Sequence, residues 1–368
     1  MRILIDARLY GLENAGLGRY VMNLVEELKK LGGNEEFTVF LRNKYFNKLD
    51  FKKNWKKVRV DIGHYTIEEQ LRLPAIIKGY EPDIVHFPHF NVPLLYGGKY
   101  IVTIHDIIMH KSRGKKTTTL PFYKYWLKRV GYKIAFSRAI NGSRKILVPS
   151  KTVKQQLLDQ YSIDANKVIV TYEGLDKKYL QSPTNVTEVL DKYAIKGKYF
   201  IYVGNAYPHK NLERIVEAIV KLNKEKSKAV KFVIVCSRSV FTRRIEDMIK
   251  RKSAAKYVKF LGFVSDKELV SLLNGSLGFV YASLDEGFGL QGLESMAAGT
   301  LVLASDIAIF KEIYKKNAIY FDPLSVEEIK ETMKSVLMMP SKNREKLVKD
   351  GKRFVKTYSW EDMATKTL

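Results

Sequence analysis

The sequence predicts an α/β protein built from two Rossmann-like doubly wound domains, each a parallel sheet wrapped by helices. Three observations lead there. Short apolar runs alternate with longer amphipathic ones almost from end to end. At 368 residues the chain exceeds a single core of ordinary size. The weakest patterning falls mid-chain, in the polar stretch DKKYLQSPTNVTEVLDKYAIKGK over 176–198, where Ser182-Pro183 and Asn185 interrupt any regular element. We place the boundary at 180/181, with the second domain running over 181–355.

In the first half the expected strands are RILID, FTVF, DIVHF, IVTIH, KILVP and VIVTY. In the second they are YFIYVG, KFVIVC, VKFLGF, LGFVYA, TLVLAS and AIYF. Helical patterns lie between many of them. SKTVKQQLLDQY has Ser150 as its N-cap, and NLERIVEAIVKLNKE has Asn211 in the same role. Two such domains are expected to face a cleft, with the functional residues at the carboxyl ends of strands.

Four strand-end segments carry chemistry. In ILIDARLYGLENAGLGRY, Gly16 and Gly18 allow close approach of backbone to a ligand, and the first helical amides face an anion. The G-x-G-x-x-G pattern is incomplete, because Tyr20 and Val21 stand where its last glycine belongs. VTIHDIIMH puts His105 and Asp106 just past a strand, where an imidazole can donate a hydrogen bond or exchange a proton. His86 and His89 in HFPHF, with His105 and His110, invite a metal reading. They lack an H-x-x-x-H helix and a carboxylate at the usual spacing, so no metal site is expected.

YVGNAYPHKNLERI follows a strand with Gly204, Asn205 and Pro208, then sets Lys210 at the head of a helix, where its charge and the helix dipole both suit a diphosphate. No G-x-x-x-x-G-K-[ST] occurs, which excludes Walker-type ATP hydrolysis. The fourth segment, LDEGFGLQGLESMAAG, holds Glu286 and Glu294 eight positions apart. Gly287 and Gly289, on either side of Phe288, are expected to turn successive amides outward as an anion nest ahead of Leu290. Carboxylates there suit polyhydroxylated groups, a sugar for one and a ribose for the other.

The formal net charge of +25 asks for acidic partners. Between Asp106 and Asp159 there are thirteen lysines and arginines and no acidic residue, interleaved with Phe122, Tyr123, Tyr125, Trp126, Tyr132 and Phe136. That composition, over 111–154, belongs to a helix at an anionic lipid surface, or to a solvated helix whose aromatics are core. No nucleic-acid recognition motif accompanies it, so no nucleic-acid partner is expected. Absence of a long apolar run or an apolar leader predicts a cytoplasmic protein, peripheral at the inner membrane face if that helix binds lipid. Cys236, alone in FVIVCS, reads as a small buried side chain.

EGFGLQGLESMAAGT resembles the E-x₇-E motif of the family 4 glycosyltransferases. VGNAYPHKNL is similar to that family's donor-phosphate lysine loop, DARLYGLENAGLGRY to its first glycine loop and TIHDII to its His-Asp strand end, all in the family's order. The resemblance implies the GT-B fold and a retaining, metal-independent transfer with no cofactor. FVKTYSWEDMATKTL looks like the closing helix that returns to the first domain, adding 356–368 to 1–180.

Carried over residue by residue, Glu286 would bind hydroxyls of the transferred sugar and Glu294 the ribose. Lys210 would neutralise the diphosphate with the amides of Gly289 and Leu290, His105 would contact the sugar near its reacting carbon, and Gly16 to Gly18 would close over the phosphates. Asn205 departs from the family, which often has an arginine there; Arg238 is one candidate substitute. The variants look most like those of bacterial O-antigen and envelope polysaccharide enzymes. That implies GDP-mannose as donor and a glycan or polyprenyl-diphosphate-linked acceptor, with UDP-glucose or UDP-N-acetylhexosamine as rival donors and a nucleotide-sugar epimerase as a rival activity.

Overall fold

The computed structural model describes residues 1–51, 53–111, 121–183, 185–225, 229–237 and 239–368. The chain divides into two compact units, Met1–Gly174 with Ser359–Leu368, and Leu175–Tyr358. The division precedes the expected 180/181 because Lys178, in the turn Lys177–Leu180, pairs with Asp266 at 2.8 Å and holds that turn to the second unit. The return comes after 358 rather than 355, since the Tyr358 hydroxyl donates to the Ile313 carbonyl at 2.8 Å.

The first unit contains seven strands, β1 (Arg2–Asp6), β2 (Glu36–Leu41), β3 (Trp55–Arg59), β4 (Ile84–Phe87), β5 (Tyr100–Thr103), β6 (Lys145–Val148) and β7 (Val168–Val170). They are all parallel, in the order β3-β2-β1-β4-β5-β6-β7. The strand WKKVR was not expected from the sequence. It lies at the sheet edge, where one neighbour and one buried side chain suffice, and Trp55 supplies that side chain by stacking on Phe37 at 4.2 Å.

Helix Ala15–Leu31 buries Tyr20, Val21, Leu24, Val25 and Leu28, the one-sided spacing of a helix on a sheet. The final helix, Trp360–Thr367, packs against it. Gly174 makes room for that return: a Cβ there would stand 2.0 Å from the Trp360 backbone nitrogen.

The second unit has six strands, β8 (Tyr199–Val203), β9 (Lys231–Val235), β10 (Val258–Leu261), β11 (Phe279–Tyr281), β12 (Val302–Ser305) and β13 (Ala318–Phe321). They too are parallel, in the order β10-β9-β8-β11-β12-β13. Covered on both faces, its inner strands read as continuous apolar runs, with Phe200, Ile201, Tyr202, Phe279, Val280 and Tyr281 all buried. In each sheet the order reverses once, between β1 and β4 and between β8 and β11. Loops leave such a point in opposite directions, so the carboxyl ends of those strands form a natural binding crevice.

Candidate active site

In the second unit the residues named from sequence converge on that point. Lys210 follows β8, in the 3-10 turn Pro208–Lys210, and Glu286 follows β11. Their side chains meet, with Nζ 2.5 Å from Oε1, and both are more than nine-tenths buried. The His209 carbonyl accepts from the Leu284 amide at 2.8 Å, so backbone pairing also locks the two loops together.

Asn211 completes the lock in a way the sequence did not suggest. Rather than capping the helix Leu212–Lys224, it takes a left-handed conformation at φ +59° and its amide donates to the carbonyls of Ala282 (3.0 Å) and Pro323 (2.8 Å). Ser150 does cap its helix, accepting from the Val153 amide at 3.1 Å.

Burial by itself would raise the Glu286 carboxyl, but the Lys210 ammonium, with help from His209, outweighs it and holds the group below the usual carboxylate range. His209 is pushed down to about 4 by burial and by Lys210, and is neutral near pH 7. Lys210 Nζ also lies 5.5 Å from the centre of the Tyr281 ring. An ammonium has three N–H donors. Among the described residues Glu286 is the one hydrogen-bond acceptor Lys210 meets.

Beyond Glu286 the chain turns into helix Leu290–Ala297, whose N-cap, Gly289, offers no side chain to its first amides. Gly289 has φ +92° and Gly287 does not share the positive φ, so the expected nest rests on one glycine. A Cβ on Gly289 would lie 2.4 Å from the Tyr314 hydroxyl, which donates to the Gly289 carbonyl. Phe288 is buried with its ring edge-on to Tyr358, and Leu290 is buried at the helix start. Glu294 sits on this helix, 4% exposed. Asn205 is exposed and carries no charge into the site; its carbonyl accepts from Tyr202 at 2.7 Å. Arg238, its suggested replacement, lies outside the described residues.

The first unit treats its named residues differently. Gly16 and Gly18 belong to the first turn of helix Ala15–Leu31 rather than to a loop. Gly16 is exposed with open space around it, whereas a Cβ on Gly18 would collide with the Gly11 carbonyl at 1.8 Å. Gly18 therefore serves loop packing. Tyr20, in the missing glycine's position, is core: its ring meets His105 edge-on at 4.6 Å and its hydroxyl lies 3.1 Å from Thr103 Oγ1.

His105 Nε2 donates to the Pro88 carbonyl at 2.9 Å, and Nδ1 is 3.6 Å from Glu173. Glu173, 68 positions downstream, was not singled out from the sequence. Asp106 accepts from the Ile108 amide at 2.9 Å.

The other histidines are held individually. His86 faces Thr103 at 2.9 Å, and His110 lies between the hydroxyls of Tyr132 (2.7 Å) and Tyr161 (2.6 Å). Three carboxylates that come together, Glu225, Glu327 and Glu331, are exposed and threaded by Lys330 and Lys334, which makes them an ion-pair cluster. Cys236 is buried beside Thr242, and burial raises its thiol.

Residues 15–179 match the family described as Glycosyltransferase Family 4, and residues 187–354 match Glycosyl transferases group 1. Over 278 residues the chain is 28% identical to the O-antigen chain mannosyltransferase RfbU of Salmonella typhimurium, covering 75% of this chain and 71% of that one. It is 25% identical to the O-antigen chain mannosyltransferase B of Escherichia coli, over 96% of this chain and 94% of the relative. A crystal structure of a glycosyltransferase from Rickettsia africae, 20% identical, superposes with a TM-score of 0.73, covering 100% of this chain and 96% of that one. The fold is GT-B.

Proposed function

The chain belongs to the glycosyltransferases, its first half to family 4 and its second to group 1, and from that premise we propose the reaction. It moves mannose from GDP-mannose, with retention at the anomeric carbon, onto a hydroxyl of a lipid-linked or oligosaccharide acceptor during envelope polysaccharide synthesis. The mannose and the polysaccharide rest on the two enterobacterial relatives.

The observation that carries the donor chemistry is Lys210: a buried ammonium with one acceptor for three N–H groups. A buried charge with unused donors is costly unless a ligand completes it. A diphosphate does so, and the uncapped amides at Leu290 offer it a second anchor.

Binding then exchanges partners. Lys210 turns from Glu286 to the phosphates, and the Glu286 carboxylate is freed to accept from hydroxyls of the transferred sugar. Glu294 takes the ribose. Catalysis lies in stabilising the departing nucleoside diphosphate while the acceptor hydroxyl is held against the same face of the sugar. Lysine and amides do here what a divalent cation does elsewhere, so a chelator leaves the rate unchanged. A rate lost to chelation and restored by magnesium would overturn that step.

Thermal stability against GDP, UDP and ADP and their sugar conjugates tests the reading. A ligand at 100 times its Kd adds about 2.7 kcal/mol to the state that binds it. Selective stabilisation by GDP and GDP-mannose is expected. A response to UDP species alone would discard mannose, and no response to any nucleotide would overturn the assigned donor site.

A further inference from the structure

Helix Phe122–Gly142 has two apolar faces. Tyr132, Phe136, Ala139 and Ile140 turn into the core of the first unit. On the opposite side stand Tyr123, Trp126, Leu127, Val130 and Ile134, exposed by 62%, 59%, 70%, 37% and 53%. Their spacing places them in one arc of about 100° along the helix. Lys124 borders that arc on one flank and Lys133 on the other, both exposed. A surface helix that buries one apolar face ordinarily presents a polar one to water. This one presents tryptophan and leucine framed by lysines, in an interval without a single carboxylate.

We propose that this face lies in the interface of an anionic lipid bilayer, with the lysines among the headgroups and Trp126, Leu127 and Ile134 at the acyl boundary. Charge selects that occupant. A second copy of a chain with a net charge of +25 would bring lysine rows against lysine rows, whereas an anionic surface pairs with them. Among the described residues no helix is long and apolar enough to cross a membrane, so attachment through this face is interfacial. The inference stands on the first unit alone and does not depend on the donor.

The test uses the full chain and vesicles free of any saccharide acceptor, phosphatidylglycerol against phosphatidylcholine. Trp55 and Trp360 are buried and Trp126 is exposed, so a blue shift of tryptophan emission on vesicle binding reports Trp126. Binding to phosphatidylglycerol alone, weakened by salt, is expected. Each lysine at an anionic surface contributes about fivefold to partition, so Lys124→Ala with Lys133→Ala lowers it about 25-fold. Leu127→Glu with Ile134→Glu lowers it by about a hundredfold or more. Both variants alter exposed side chains and keep the wild-type thermal midpoint. Trp126→Phe still co-sediments while losing the spectral signal. No binding to phosphatidylglycerol, equal binding to both lipids, or variants that bind like the wild type would overturn the proposal. So would a concentration-dependent blue shift without lipid, which would assign the face to a second copy.

Discussion

Each sheet reverses its strand order once, and at each reversal a buried cation meets a buried carboxylate, yet the two sites are finished differently. After β1, Arg8 donates through Nε and Nη2 to Asp6 at 2.7 and 2.6 Å, through Nη2 to Glu69 at 2.7 Å and through Nη1 to the Ile62 carbonyl at 3.1 Å. Glu69 in turn accepts from Asn91, which follows β4, at 2.7 Å. Burial works against the Arg8 charge, but Asp6 and Glu69 outweigh it and raise its pKa further. Lys210, after β8, has one carboxylate and an aromatic face. The same architecture thus holds a cation with four of its five N–H donors used in one unit and a cation with one of three used in the other. A planar fork suits the first, whereas a flexible ammonium can change partners.

The largest effect that could break this contrast is on stability. Arg8→Met leaves Asp6 and Glu69 buried without a counter-charge, which costs about 3–5 kcal/mol. All three tryptophans, Trp55, Trp126 and Trp360, belong to the first unit, so denaturant unfolding followed by their fluorescence isolates it. A loss below about 1 kcal/mol, the scale of an exposed pair, would show the network to be dispensable.

Next in size is the catalytic effect. Lys210→Ala and Glu286→Ala are each expected to lower kcat/KM by about 100-fold, or roughly 2.7 kcal/mol. Either change also strands a buried charge, so the double variant Lys210→Met with Glu286→Gln separates the two roles. It is expected to regain stability relative to the singles without regaining activity. Near-native rates in any of these folded variants would remove the contrast between the units.

Much of this was legible in the sequence, and the legible part was local. Gly289, Glu286 and Glu294 fall within one short segment, and Lys210 stands at its own strand end. Among the described residues periodicity marked twelve of the thirteen strands, missing the edge strand Trp55–Arg59, which needs little apolar surface. What pattern could not show was pairing over distance: Arg8 with Glu69, His105 with Glu173, Asn211 with Pro323. Nor could it show that Gly18 accommodates Gly11, because a packing glycine and a ligand glycine look alike as letters. In the basic stretch the aromatics divide, Tyr132 and Phe136 in the core and Tyr123 and Trp126 exposed, a division that composition could not show; part of that stretch, 112–120, lies outside the described residues.

The smallest effect per group, and the one that sharpens the comparison most cleanly, is pH dependence. His64 and His110 are pushed down to about 4, and His86 and His89 to about 3, in each case chiefly by burial. All four belong to the first unit, while the second has His209 alone. In the unfolded chain these imidazoles take up protons near pH 6.5, so below that value the unfolded state binds more protons than the folded one. Stability therefore falls on acidification, starting below about pH 6.5 and levelling off once each folded pKa is passed, at up to about 1.4 kcal/mol per pH unit per histidine. Asp6 and Glu286 have the opposite kind of group but the same direction. Burial would raise both, their cationic neighbours outweigh it, and the stability they contribute is lost only as pH falls below the ordinary carboxylate range. Between about pH 6.5 and 4.5 the histidines act alone. Denaturant midpoints measured from pH 7 to 5 are expected to fall faster by tryptophan fluorescence, which sees the first unit, than by far-ultraviolet circular dichroism, which sees both. Coincident midpoints across that range would mean that the two units unfold as one and that the buried histidines do not set the weaker half apart.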